Sequence, residues 1–253
     1  RSWHHRIACT VGLDHSPGQI SPLAGMGAAD QPYDLGAVRV EWSGFPQPLP
    51  LRIWRSVGHS YNAFAMESFL DEIAAALDRD PLEMRLELLP QSPRLRHCLE
   101  AVAAAARWGS AVEEGRFLGV AATHCMGSYV ATIAEVEPVS QRLPRVTGLW
   151  CAADCGVVVN PDIARAQVEG GMLYGLDAVL NGGIVLQSGR VVHTNFDRHR
   201  VMRISDAPTM EVVLISGGTA PSGVGEIGVP CVAPAVANAW YQATGKRTRD
   251  LWG

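Results

Sequence analysis

The feature that most limits how this chain can fold is a change of rhythm near residue 112. Before that point apolar residues recur at helical spacing, and beyond Gly115 they come in strand-length runs. Asn62 opens the clearest helix, with Phe64, Ala65, Phe69, Ile73, Ala76 and Leu77 on one side and Glu67, Asp71 and Glu72 largely on the other. Asp80-Pro81 starts a second, with proline at its first position and Leu82, Arg85, Leu86 and Leu89 following. An alanine run carries a third from about 95 to 108, stopped at Gly109. Earlier, residues 38–42 alternate as a half-buried strand, and Pro46, Pro48 and Pro50 make a stiff connector.

After the change, residues 119–124 and 129–136 predict an antiparallel pair, and 146–153 a further strand. Asn160-Pro161-Asp162 caps a helix over about 163–180 that contains Gly170-Gly171. Residues 184–186 and 191–194 flank a four-residue hairpin connection, Gln187-Ser188-Gly189-Arg190. Another strand covers 210–215, a flexible loop covers 216–218 and 221–225, and a last helix runs from about 234 to 244, ending at Gly245. The expectation is an α+β fold, mixed sheets with flanking helices, divided into a subdomain over 1–111 and one over 112–253.

Composition removes several function classes. The net charge is −4, from 21 basic and 25 acidic residues spread evenly, so nucleic acid is not an expected partner. Lys246 is the sole lysine, which disfavours Schiff-base chemistry and a Walker-type phosphate site. No apolar run approaches the length of a bilayer-crossing helix. The six cysteines include no Cys-x-x-Cys pair and read as buried free thiols, and the eight histidines show no metal-ligand spacing, so none is assigned to metal. The opening Arg1-Ser2-Trp3-His4-His5-Arg6 has no initiator Met and reads as the interior of a longer chain, cleaved or split.

Three segments carry candidate chemistry. In Gly223-Val224-Gly225-Glu226-Ile227-Gly228, glycines let the backbone approach a ligand closely. A carboxylate placed there, just before an apolar segment, is expected to be desolvated, which suits it to accept a proton near neutral pH. The bland alternative is an exposed Glu on a glycine-rich loop. The same letters match the dinucleotide fingerprint, but no strand leads directly into them and Pro230 stands where a helix should be under way, so the match is accidental. Trp54-Arg55-Ser56-Val57-Gly58-His59-Ser60 precedes a helix, either as a site for phosphate or a polar heterocycle or simply as a well-capped start. Gln167-Val168-Glu169-Gly170-Gly171 puts paired glycines inside a helix at a cost of about 2 kcal/mol, which implies close packing. No Gly-x-Ser-x-Gly elbow occurs, so a serine hydrolase is disfavoured.

Taken in order, Trp54 to Gly58, Asn62-Ala63-Phe64, residues 67–72, Asp80-Pro81-Leu82-Glu83, Asp154-Cys155-Gly156 with Asn160-Pro161, Gln167 to Gly171, Gly223 to Glu226, and 233–239 through Ala243-Thr244-Gly245 form a set. That set resembles the xanthine dehydrogenase/aldehyde oxidase family, in the carboxyl-terminal portion of its molybdopterin-binding large subunit. The branch it is most similar to is that of the isoquinoline oxidoreductase beta subunits and related bacterial aldehyde dehydrogenases. The resemblance implies molybdenum held by molybdopterin cytosine dinucleotide, with no side chain of this chain ligating the metal. It implies oxidation of an aldehyde or N-heterocycle with water-derived oxygen, Glu226 acting as general base. Arg55, Ser56, Val57, Gly58, Gln167, Gly223, Val224 and Gly225 would contact the cofactor or frame the pocket.

Further implications concern partners. The family's amino-terminal half, with its cofactor loops, does not appear in this sequence, so it would come from a separate or cleaved chain, and this chain alone would hold the cofactor poorly. Electrons would leave through a small subunit carrying 2Fe-2S clusters, with a cytochrome c subunit as a further candidate partner. A periplasmic home follows by analogy, with a cytoplasmic one as the alternative. Cys231 stands where the branch often has a second proline after Pro230. A non-catalytic assembly piece that has kept the fold is the rival reading.

Overall fold

The computed structural model describes residues 1–10, 22–45, 53–140, 144–218 and 220–251. The proline connector at 46, 48 and 50 lies outside the described residues. At the centre is a four-stranded sheet of β3 (Phe117–Cys125), β4 (Ser128–Glu137), β5 (Arg145–Asp154) and β8 (Thr209–Ile215), in that spatial order. The first three pair antiparallel, as the sequence predicts for 119–124 and 129–136, and β8 joins β5 in parallel. These strands are nearly continuous apolar runs because both faces of the sheet are covered.

Two cores follow from that sandwich. On one face Val120, Ala122, Ala131, Ile133 and Ala152 meet Met66 and Leu70 of α2 (Gly58–Ala76) and Leu95, Leu99 and Val102 of α4 (Pro93–Ala105). On the other Ala121, Val130, Leu149, Cys151 and Ala153 meet Val168, Met172 and Leu176 of α5 (Pro161–Asn181) and Val232, Val236 and Ala239 of α6 (Val232–Thr244). A methyl on Gly119 would collide with the α6 backbone at Ala235 and Ala239, so glycine there is what allows helix and strand to close. β1 (Ser2–Thr10) and β2 (Ala37–Phe45) form a separate parallel pair, with α1 (Pro22–Gly25) between them in the chain.

Buried polar groups tie the first face together. Arg85 of α3 (Pro81–Glu87) donates from Nε to Glu67 Oε2 at 2.7 Å, and that oxygen also accepts the Ala122 amide at 3.0 Å. Asn238 of α6 donates to the Val120 and Glu67 carbonyls. An interior ion pair is tolerable only when the spare donors and acceptors are used, and Arg85 also donates to the carbonyls of Pro81 and Glu67.

Several boundaries differ from the sequence expectation. The first long helix begins at Gly58, four residues before Asn62, because Ser56 and Val57 take left-handed φ values of 70° and 49° and turn the chain into it. α4 stops at Ala105, where Arg107 (φ 53°) and Gly109 (φ 80°) unwind the end. The four-residue hairpin connection is in fact two residues: β6 (Leu186–Gln187) and β7 (Arg190–Val191) are joined by Ser188-Gly189, both at positive φ, the geometry that follows strand twist. The Asn160 cap and the Gly245 stop are as expected, Asn160 accepting from the Asp162 and Ile163 amides and Gly245 adopting φ 71°.

Candidate active site

The glycine-rich segment around Glu226 is bound at successive residues, where the sequence suggested a flexible loop. The Ser222 amide donates to the Cys155 carbonyl at 2.8 Å. Ser128, at the start of β4, hydrogen-bonds the Ser222 hydroxyl and donates to the Gly223 carbonyl, both at 2.7 Å. Further on, the Gly225 carbonyl accepts from Arg55 through both Nε (2.8 Å) and Nη2, and from Gln167 Nε2 at 3.1 Å. The next carbonyl, that of Glu226, accepts the Ser56 hydroxyl at 2.7 Å and the Val229 amide at 3.2 Å. Two consecutive peptide oxygens flanking the carboxylate residue are thus held by donors from the turn before α2 and from α5.

Close packing completes the clamp. Gly171 of α5 lies against Gly228: a methyl on Gly171 would sit 3.1 Å from the Gly228 Cα, and one on Gly228 would overlap the Val168 carbonyl. The paired-glycine expectation is met by Gly171, whereas Gly170 is exposed and a methyl there would meet no atom of the described residues within 4 Å. Held this way, Glu226 places one carboxylate oxygen, Oε2, in the interior with no hydrogen-bond partner among the described residues. Buried polar atoms normally have partners, so this oxygen is left open to a proton or a ligand. Beside it, burial and then the charges of Glu226 and Asp30 push the Cys125 thiol up to about 12, keeping it protonated and unreactive.

A second group converges nearby. Asp30, in the turn after α1, lies 3.2 Å from Nε2 of His59 in α2 and 3.7 Å from Nδ1 of His124 at the end of β3. Burial works to raise the Asp30 carboxyl, but its interactions with His124, His59 and the Gly27 amide outweigh this and hold it well below the usual carboxylate range. A separate ion pair joins Arg94 of α4 to Asp154 at the end of β5, with Arg94 stacked over the Tyr129 ring at 4.6 Å.

Of the residues singled out from sequence, Arg55, Ser56, Gln167, Gly225 and Glu226 come together. Ser56 and Gly58 are buried, and the Ser56 hydroxyl is spent on the Glu226 backbone. Val57 serves as the residue before α2, its carbonyl accepting the Ser60 hydroxyl. Val224 packs at the edge of the second core, and Gly223 and Gly225 are exposed along with Gln167. Ser128 and the cluster of Asp30, His59 and His124 escaped sequence reasoning, since residues 29 and 65 positions apart along the chain leave no local signature. All six cysteines are free, five of them buried, with Cys9 half-buried.

Comparison with known proteins places this geometry. Models for the molybdopterin cofactor-binding domain match residues 1–89 and 67–208. The chain is 33% identical to isoquinoline 1-oxidoreductase subunit beta of Brevundimonas diminuta over 87% of this chain and 29% of that one. It is 30% identical to a membrane-bound aldehyde dehydrogenase [pyrroloquinoline-quinone] of Gluconacetobacter polyoxogenes, over 95% of this chain and 34% of that one. It therefore spans about a third of the length of these relatives. The fold is shared with quinoline 2-oxidoreductase from Pseudomonas putida 86, at a TM-score of 0.75 and 13% identity over 88% of this chain and 54% of that one. With more than half of its residues under one such model, the chain belongs to the molybdopterin cofactor-binding domain family.

Proposed function

We propose that this chain supplies one wall of the active site of a molybdenum hydroxylase that oxidises an aldehyde or an N-heterocycle, with Glu226 as its general base. The observation that carries the reading is the clamped Glu226 with its buried, partnerless Oε2. A base works best when its position is set before substrate arrives, and here Arg55, Gln167 and Ser56 set it through the flanking carbonyls. The residues present suit a pterin-held molybdenum: Gly223 and Gly225, both exposed and without side chains, lead directly into Glu226 and leave the backbone there open to a large planar group. When bound, that group would supply the two-electron redox chemistry.

This chain's own part is narrower. Glu226 accepts a proton from the water-derived oxygen that is transferred to the substrate carbon. Arg55, Ser56 and Gln167 fix the backbone that carries the carboxylate. Gly225 and Gly223 admit the cofactor, in the cytosine dinucleotide form. The remaining large-subunit segments and an iron–sulfur partner with 2Fe-2S clusters supply the rest of the enclosure and the electron exit. The two relatives named above, an isoquinoline oxidoreductase subunit and an aldehyde dehydrogenase, support both substrate classes.

The test is metal and pterin analysis of the native assembly, with turnover of aldehydes and N-heterocycles in water enriched in oxygen-18. One molybdenum per copy of this chain, with label appearing in the product, is the expected result. An assembly with every partner present but no molybdenum would instead establish a scaffold.

A further inference from the structure

We propose that Asp30, His59 and His124 form a site for a divalent transition cation of the zinc type, separate from the carboxylate chemistry of Glu226. The three residues come from three elements, and one ligand atom from each lies within 4.8 Å of the others. Two imidazole nitrogens and one carboxylate oxygen are a donor set suited to zinc and its neighbours, leaving positions open for water.

The spacing suits a shared ion as well as the hydrogen bond that joins Asp30 to His59. Ligands about 2.0–2.1 Å from a tetrahedral ion stand about 3.3–3.4 Å apart. Asp30 Oδ2 is 3.2 Å from His59 Nε2 and 3.7 Å from His124 Nδ1. The second distance is longer than a hydrogen bond and close to that ligand spacing, and the two imidazoles offer ligand atoms within 4.8 Å of each other.

The surroundings are those of a built site. Asp30 Oδ1 accepts the Gly27 amide at 2.5 Å, which turns Oδ2 toward the histidines. His59 is 2% exposed and turns its Nε2 to Asp30 Oδ2. His124 is braced by the Tyr129 ring, with centroids 5.0 Å apart. Asp30 is exposed and His124 half-buried, which gives an ion a way in. An ion here would tie the turn after α1 and the end of β3 to the first turn of α2, three residues beyond the Ser56 that holds the Glu226 carbonyl. Sequence spacing assigned no histidine to metal; the fold supplies what the spacing does not show.

The test is zinc(II) binding to the protein as isolated, after chelator treatment, by titration calorimetry and by equilibrium dialysis with elemental analysis. One equivalent should bind. Asp30→Asn and His124→Ala should each weaken binding at least tenfold, and the joint His4→Ala, His5→Ala variant should bind as the parent does. Circular dichroism before zinc addition verifies that each variant is folded, and Asp30→Asn, isosteric and at an exposed position, decides the matter if His124→Ala is not. Equal zinc affinity in the parent and Asp30→Asn would overturn the proposal, as would loss of binding on replacing His4 and His5.

Discussion

Two glycines on or against one helix should respond to alanine with opposite signs, and the difference tests the clamp around Glu226. Among the described residues a methyl on Gly170 of α5 meets nothing, so the helix gains the propensity difference of about 1 kcal/mol. In a chain of this size that raises Tm by about 2–4 °C. Gly228 is packed against the same helix, and its added methyl would overlap the Val168 carbonyl and approach the Gly171 Cα at 3.1 Å. Both obstacles are backbone or carry no flexible end, so the loop must lift away from α5, at an overpacking cost of about 1–3 kcal/mol. That lowers Tm by about 2–12 °C. Lifting the loop also stretches the Gln167 and Arg55 bonds to the Gly225 carbonyl, so Gly228→Ala should lose turnover in the complete assembly as well as stability. Thermal and urea unfolding of both variants against the parent read the effect. Equal stability of Gly228→Ala and the parent would refute the packing argument, and destabilisation by Gly170→Ala would refute the placement of α5.

Other predictions follow from the buried polar groups. Arg85→Met strands Glu67 in the interior and should cost about 3–5 kcal/mol, while the double variant with Glu67→Gln, which keeps an acceptor for the Ala122 amide, should be the less damaged of the two by urea unfolding. Asp154 is held below its ordinary 3.8, chiefly by hydrogen bonds from Arg94 and against the opposing effect of burial. A depressed carboxyl stabilises the fold fully above that ordinary value and less as pH falls through the folded one, so stability should drop below about pH 3.8 and drop less steeply in Asp154→Asn. Burial pushes the thiols of Cys98, Cys125 and Cys151 up to about 12 or beyond, so brief alkylation of the native protein should leave them unmodified by peptide mass mapping while Cys9 reacts first.

Much of the scaffold was legible because its signals are local. Strand-length runs at 119–124, 129–136 and 146–153, the Asn160 cap and the Gly245 stop each declare themselves within a few residues. The start of α2 was not legible, since Ser56 and Val57 adopt left-handed backbone angles that non-glycine residues seldom take and that only the surrounding packing enforces. The candidate site divides the same way. The glycine frame of Glu226 announces close approach, but the roles of Arg55 and Ser56 as donors to the loop's carbonyls span 170 residues of chain and exist only in the fold. Asp30, His59 and His124 carry no mutual spacing at all.

Catalysis at this site turns on whether the clamped carboxylate takes the proton. The most direct measurement is the single-turnover rate of substrate oxidation by the molybdenum-loaded assembly carrying Glu226→Gln, with metal content determined on the same sample. General-base removal should slow that step by about 10²–10⁴-fold while molybdenum content stays at the parent level. A rate within a few-fold of the parent, at equal metal loading, would contradict it.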